Sequence, residues 1–288
     1  MTTPDGLVVV DKPGGLTSHD VVARTRRLAG TRRVGHAGTL DPMATGVLVL
    51  GVNRATRLLG HLTLTEKAYD ATIRLGASTV TDDAEGDVVE TADASGVTDE
   101  ALRSGIARLT GDIAQVPSAV SAVKIDGKRA YKRVREGEDV VLPPRPIIVR
   151  TFEVVASRPD GPFLDVDVRV ECSSGTYVRA LARDLGARLG VGGHLSALRR
   201  TAVGPYTLAD ARTLDQLGEE FAMMPIATAA RAAFSSLELD DSQAADVRVG
   251  RSLDLALDTL TAVFAPDGEF LALYEPRAGA AKAVAVFV

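Results

Sequence analysis

Apolar and polar positions alternate most regularly over Leu164–Cys172. Leu164, Val166, Val168, Val170 and Cys172 take one side; Asp165, Asp167, Arg169 and Glu171 take the other. A period of two predicts a strand with one buried face. Tyr69–Leu75 alternates more loosely and predicts another strand, while Gly6–Asp11 and the continuous, valine-rich Val47–Val52 predict buried strands. Elsewhere the period is helical. Thr17-x-x-Asp20 has the form of a capping box, and Val21, Val22, Thr25 and Leu28 then mark one helical face, with Arg24 and Arg27 one turn apart on another part of that helix. Leu102, Ile106 and Leu109 predict a helix over 98–109, and Val178, Leu181, Ala182, Leu185 and Leu189 one over 176–189. Residues 206–230 also read as helical. Residues 81–96 read as an acidic loop. Asp126-Gly127 is a turn signal, the basic residues after it read as a short helix, and Pro143, Pro144 and Pro146 close this segment as an insertion. From about residue 233 the pattern is one of short strands, with a hairpin signal at Asp267-Gly268.

Strands and helices without regular βαβ alternation predict an α+β fold with a mixed or antiparallel sheet flanked by helices. The expected division is 1–232 and 233–288, with the insertion at about 124–146. The 288 residues are enough for one large and one small domain. Cys172 is the only cysteine, which excludes an internal disulfide and fits a reducing compartment. The N-terminus lacks the basic flank of a signal peptide, and the apolar runs are strand-sized. A cytoplasmic protein with no membrane association is expected.

The net charge of −5 argues at first against a nucleic-acid partner. Its distribution changes that picture. Eight Lys/Arg between Lys12 and Arg57 face only Asp20 and Asp41, and six between Lys124 and Arg135 face only Asp126. From Gly204 onward acids outnumber bases 13 to 6. Two basic segments therefore stand out from an acidic remainder, and the local field steers an anion. No G-x-G-x-x-G or Walker pattern is present. His19, His61 and His194 lack ligand spacing and read as caps or surface residues, so neither a nucleotide cofactor nor a metal is expected.

The candidate chemistry lies in GHAGTLDPMATGVLVLGV, residues 35–52, where a lone carboxylate, Asp41, precedes Pro42. Proline pushes Asp41 toward extended backbone, and Gly35, Gly38 and Gly46 allow a tight path around it. A carboxylate beside a buried strand needs donors or a cation. An aspartate capping its own turn is the simpler reading of any single Asp-Pro. A possible partner lies in CSSGTYVRALARD, residues 172–184, where Tyr177 and Arg179 fall at the start of a helix. That helix end and the guanidinium together suit an ionised carboxylate, fit to act as nucleophile or base.

These two motifs, with DKPGGLTSHDVV, KAYDATIRLG and HLSALRR, run in order from about residue 6 to 205 and resemble the bacterial TruB family of tRNA pseudouridine synthases. The resemblance implies an isomerase acting on the T-loop uridine at tRNA position 55, with no cofactor and no obligatory protein partner, working as a monomer. It implies that Asp41 is the catalytic aspartate. Tyr69 would stack on the target base, Arg179 would pair with the catalytic carboxylate, Tyr177 would line the pocket, and Leu198 would contact the base. His36 would enter the RNA loop, and Asp83 would belong to an RNA-contacting loop. The basic segment with Lys124, Lys128, Arg129 and Lys132 would be a thumb closing over the T-arm. Lys12 would have a structural role under the site, and the C-terminal part would be a PUA-like RNA-binding domain. Ser174 stands where some members carry lysine, which implies one phosphate contact fewer. These roles are physically coherent: a base inside a folded RNA must be flipped out, and an aromatic face recovers stacking. An RNA chaperone without catalysis, and a guide-RNA-dependent synthase, are the competing functions.

Overall fold

The computed structural model describes residues 4–119, 124–125, 128–129, 142–277 and 280–288. In chain order β1 (Gly6–Lys12) leads into α1 (Ser18–Leu28), β2 (Val34–His36), β3 (Thr45–Val52) and α2 (Leu59–Thr63). Then come β4 (Lys67–Leu75), β5 (Ala77–Thr79), β6 (Val88–Thr91), α3 (Asp99–Ala107) and β7 (Gly111–Gln115). The short β8 (Lys124–Ile125) and β9 (Lys128–Arg129) precede the hairpin of β10 (Arg145–Asp160) and β11 (Phe163–Cys172). After it come α4 (Val178–Leu189), β12 (Gly193–Val203) and β13 (Tyr206–Thr207). The chain then forms α5 (Leu214–Glu219), β14 (Met224–Pro225), α6 (Ile226–Ala233), β15 (Ser235–Glu238) and α7 (Asp241–Arg248). It ends in β16 (Thr261–Phe264), β17 (Phe270–Arg277) and β18 (Ala280–Val286). The fold is α+β, as the pattern predicts.

These elements form two compact units that interleave along the chain. The first comprises the chain up to Asp41, Gly46–Thr63 and Val203–Val288. Its β1 pairs antiparallel with β3, Val9 opposite Val49, and with β14 on its other side. Both continuous apolar runs are buried strands. Leu7, Val9, Val47 and Val49 pack in one core with Leu58, Leu62 and Tyr206. Phe264, Phe270, Leu273 and Phe287 belong to that same core. The C-terminal residues make a four-stranded sheet, β15–β16–β17–β18, with a smaller cluster of its own around Val263, Leu271 and Tyr274. They nevertheless complete the core of the first unit, and Arg54 and Arg57 donate to the carbonyls of Phe287 and Val286.

The second unit comprises Pro42–Thr45 and Leu64–Ala202. Its sheet has the order β12–β4–β11–β10–β7. β4 and β11 pair antiparallel, Tyr69 opposite Val170, and the alternating residues of Leu164–Cys172 are buried as their period requires. α4 buries Leu181, Ala182 and Leu185.

Three expectations need correction. Residues 81–96 are not a plain loop: β6 pairs antiparallel with β5 after a tight turn, and Asp83 in that turn is buried. Residues 206–230 are not one helix. Thr213 caps the short α5 in a capping box with Gln216, and Pro225, which has no N–H to give, sits at the start of α6. Around Asp126-Gly127, β8 and β9 pair antiparallel, and the basic stretch expected to be helical beyond Arg129 lies outside the described residues. No helix among the described residues is long and apolar enough to cross a membrane.

Candidate functional site

In the first unit a short relay of contacts fixes the loop that carries Asp41. Lys12 is fully buried, and its Nζ donates to the carbonyls of Pro13 (3.0 Å) and Leu16 (2.6 Å), closing the turn before α1. Thr17 then caps α1, its Oγ1 accepting from the N–H of Asp20 at 3.1 Å while its own N–H donates to the Asp20 carboxylate at 2.9 Å. The next residue, Ser18, is buried and faces Leu40: the Leu40 N–H donates to Ser18 Oγ (2.9 Å), and that hydroxyl lies 3.1 Å from the Leu40 carbonyl. Gly38, at φ +90°, takes the left-handed turn that brings the chain there. Asp41 follows, half-buried. His36, at the end of β2, is also half-buried and meets the His19 ring edge to face at 5.6 Å.

In the second unit Tyr177 is the N-cap of α4 and Arg179 lies in its first turn. Tyr177 has no side-chain capping bond. Instead its backbone is held by Gln115, whose Oε1 accepts from the Tyr177 N–H (2.9 Å) and whose Nε2 donates to its carbonyl (3.0 Å). Arg179 is 5% exposed. Its Nη1 donates to the Thr81 carbonyl at 2.8 Å and lies 3.3 Å from the Asp83 carboxylate. Asp83 is 2% exposed, and also accepts from the Thr81 hydroxyl and the Glu85 N–H. Its carboxylate is thus buried and engaged within the chain, beside Arg179. The turn itself is held from β12: the Leu195 N–H donates to the Asp82 carbonyl (3.0 Å), and His194 Nδ1 lies 2.8 Å from the Ala77 carbonyl. His194 is therefore a buried strut and not a cap or surface residue.

Tyr69 on β4 and Leu198 on the neighbouring β12 are 7% and 8% exposed, so both belong to interior walls. A groove of about 750 Å³ in the second unit includes Met43, Thr45, Thr72, Leu198 and Arg199 but not Tyr69. A larger groove of about 880 Å³, between α3 and β10, holds none of the expected site residues. Arg179 and Asp83 are thus brought together within one unit, and Tyr69 and Leu198 lie on adjacent strands of it. Asp41 and His36 belong to the other unit. Lys124 falls on β8, Lys128 and Arg129 on β9, and Lys132 lies outside the described residues. No group of three metal-ligating side chains occurs among the described residues.

Four residues around these positions carried no signal in the sequence pattern. Gln115 is far from Tyr177 along the chain, and Asp82 and Arg183 form an ion pair beside Asp83 and Arg179. Lys67, two residues before Tyr69, is only 8% exposed, and burial pushes its pKa down to about 8, with the positive charge of Arg200 adding to the effect.

Three family models together match the chain from residue 26 to its end. The TruB family pseudouridylate synthase N-terminal domain matches residues 26–178. The tRNA pseudouridylate synthase B C-terminal domain matches 179–236, and the tRNA pseudouridine synthase II C-terminal model matches 234–288. The tRNA pseudouridine synthase B of Streptomyces griseus is 61% identical over 99% of this chain and 98% of its own length. That of Thermobifida fusca is 59% identical over 98% of each. Among solved structures, a Cbf5–Nop10–Gar1 complex contains a chain with TM-score 0.75 at 27% identity, over 100% of this chain and 86% of that one. An H/ACA ribonucleoprotein bound to a substrate RNA containing 2′-deoxyuridine gives TM-score 0.73 at 25% identity, over 98% of this chain and 85% of that one. Matched by these family models from residue 26 to its end and by relatives over almost its whole length, this chain belongs to the TruB family of tRNA pseudouridine synthases, isomerases that convert uridine to pseudouridine in tRNA.

Proposed function

We propose that the uridine converted lies in the T-loop, at position 55, and that Asp41 is the group that drives the conversion. The isomerisation breaks the N1–C1′ bond, turns the uracil, and joins C5 to C1′. The proton at C5 leaves and N1 takes one up, so atoms balance without an oxidant or a net proton. One ionised carboxylate suffices: it either attacks C1′ or removes a proton from the sugar. The observation that carries this reading is the fixed loop of the first unit. Buried Lys12, capped α1 and buried Ser18 hold Leu40 on both its backbone groups, so the next side chain, Asp41, is presented in a defined direction yet stays partly open. Such preorganisation is what positions a reacting group.

In this reading Arg179 meets the Asp41 carboxylate when the base is in place, and Tyr69, Tyr177 and Leu198 form the walls against the flipped uracil. Base flipping requires an aromatic or apolar slot of this kind. His36 fills the gap in the RNA loop. Lys124, Lys128, Arg129 and Lys132 contact phosphates of the T-arm, and the C-terminal sheet adds RNA contacts. The chain acts on tRNA alone, as a monomer, in the cytoplasm, without a cofactor.

The position is tested with tRNA transcripts. Pseudouridine mapped after incubation with the enzyme is expected at the T-loop uridine only, and a transcript with cytidine there is expected to gain none. Modification elsewhere, or only when a guide RNA is added, would overturn the assignment.

A further inference from the structure

Two consecutive acids, Asp82 and Asp83, face two arginines one turn apart on α4. Asp83 pairs with Arg179 at 3.3 Å, and Asp82 with Arg183 at 3.2 Å. Consecutive side chains of an extended chain point to opposite sides. Asp82 has φ +60°, in the left-handed region, and this breaks the alternation so that both carboxylates reach the same helix. Arginines at i and i+4 share one helix face, and so form the matching pair. A non-glycine residue in this backbone region is held there by its surroundings. Here the holding contacts include the Leu195 N–H on the Asp82 carbonyl, the Asp82 N–H on the Thr79 carbonyl, and Arg183 on its carboxylate, which Ser118 also faces.

Arg183 does more than pair with Asp82. Its Nε donates to Asp184 at 2.9 Å, and its Nη2 donates to the Val116 carbonyl at 2.7 Å. Val116 directly follows Gln115, which holds both backbone groups of Tyr177. Arg183 therefore joins three pieces: the 79–86 turn, helix α4, and the end of β7. Each of these carries one support of the α4 start. Arg179 Nη1 is addressed from the turn, by the Thr81 carbonyl and the Asp83 carboxylate, so slack in the turn would move it.

We infer that Asp82 and Arg183 are positioning residues for the isomerisation, an outer ion pair that locks the turn and the end of β7 onto α4 and thereby sets the direction of Arg179. The pair touches neither base nor sugar. Its atoms are 13% exposed for Asp82 and 28% for Arg183, which keeps it shielded but leaves it out of the core. Arginine is needed because its planar fork serves several acceptors at once, which a lysine point charge does not do. This inference builds on the proposed role of Arg179 beside Asp41.

The test is a double-mutant cycle on full-length enzyme with a tRNA transcript. Asp82→Asn removes the charge and keeps a residue that tolerates positive φ; Arg183→Ala removes the fork. Each single variant is expected to lower single-turnover rate about tenfold to hundredfold, the scale of a small misplacement of reacting groups. Binding of tRNA is expected to change less than twofold. The double variant should be no slower than the worse single, because the two act as one unit. Arg183→Lys should fall between wild type and Arg183→Ala, and the exposed Arg188→Ala should match wild type. Thermal unfolding monitors the fold; if Arg183→Ala unfolds, Asp82→Asn and Arg183→Lys carry the test. Wild-type rates in Asp82→Asn and Arg183→Lys would overturn the inference. So would additive losses, or a loss of tRNA binding that matches the loss of rate. An Asp41→Asn control separates this from the proposed function: if it still turns over, the catalytic assignment is wrong, whatever Asp82 and Arg183 do.

Discussion

Single residues here are decided by what encloses them. Lys67 is an example with a measurable consequence. Burial depresses its pKa to about 8, against about 10.4 for an unfolded lysine. Between those values the unfolded chain binds more protons than the folded one, so stability rises with pH across roughly pH 8 to 10.4. The cost of holding the charged form below pH 8 is at most about 3 kcal/mol. Lys67→Met should remove that rise while leaving other pH dependence in place, as read from urea unfolding of both proteins at pH 7.5 and 10. Equal slopes would show that Lys67 is as solvated when folded as when unfolded. Nothing in KAYDA announced this burial, because a lysine at a strand position reads as a solvent-facing residue. The burial of Asp83 was hidden for the same reason. It lies in an acid-rich stretch, yet it is buried, because Arg179 and the Thr81 hydroxyl, neither readable from the local pattern, satisfy its carboxylate.

At the scale of elements, period and burial agree wherever a segment makes its contacts along one face. Leu164–Cys172, the valine-rich runs of β1 and β3 and the capping box of α1 were legible for that reason. The turn between β5 and β6 was not, since its form is imposed by β12 and α4. Close backbone packing was equally invisible. Gly186 in α4 sits directly against the backbone of Gly192 and Gly193, where an added Cβ would collide with atoms unable to rotate away. Gly186→Ala is therefore expected to destabilise by about 1–3 kcal/mol or more, despite alanine's higher helix propensity. Thermal unfolding checks the sign: a raised midpoint would show that α4 and the start of β12 are further apart than described. Around the candidate site, the helix start that carries Tyr177 and Arg179 was legible, but Gln115, Asp82 and Arg183 were not, because each acts across a long separation in sequence.

For the whole molecule, the C-terminal sheet is the main lesson. Its short-strand pattern and hairpin signal suggested a small, mostly β domain, and its Phe264, Phe270 and Phe287 pack into the core that β1 and β3 begin. Phe270 is 3% exposed and lies 4.6 Å from the Phe287 ring and 5.4 Å from that of Phe264. Phe270→Ala should cost about 3–5 kcal/mol. Hydrogen exchange should speed up in β1 and β3 as well as in β17; faster exchange confined to residues after 233 would mean a separately folding domain. The central claim rests on Asp41, and C5-tritiated tRNA tests it most directly, because joining C5 to C1′ must release the label. Wild-type enzyme is predicted to release tritium in one turnover, and Asp41→Asn to bind the same tRNA with near-equal affinity and release none. Release by Asp41→Asn at the wild-type rate would contradict the account.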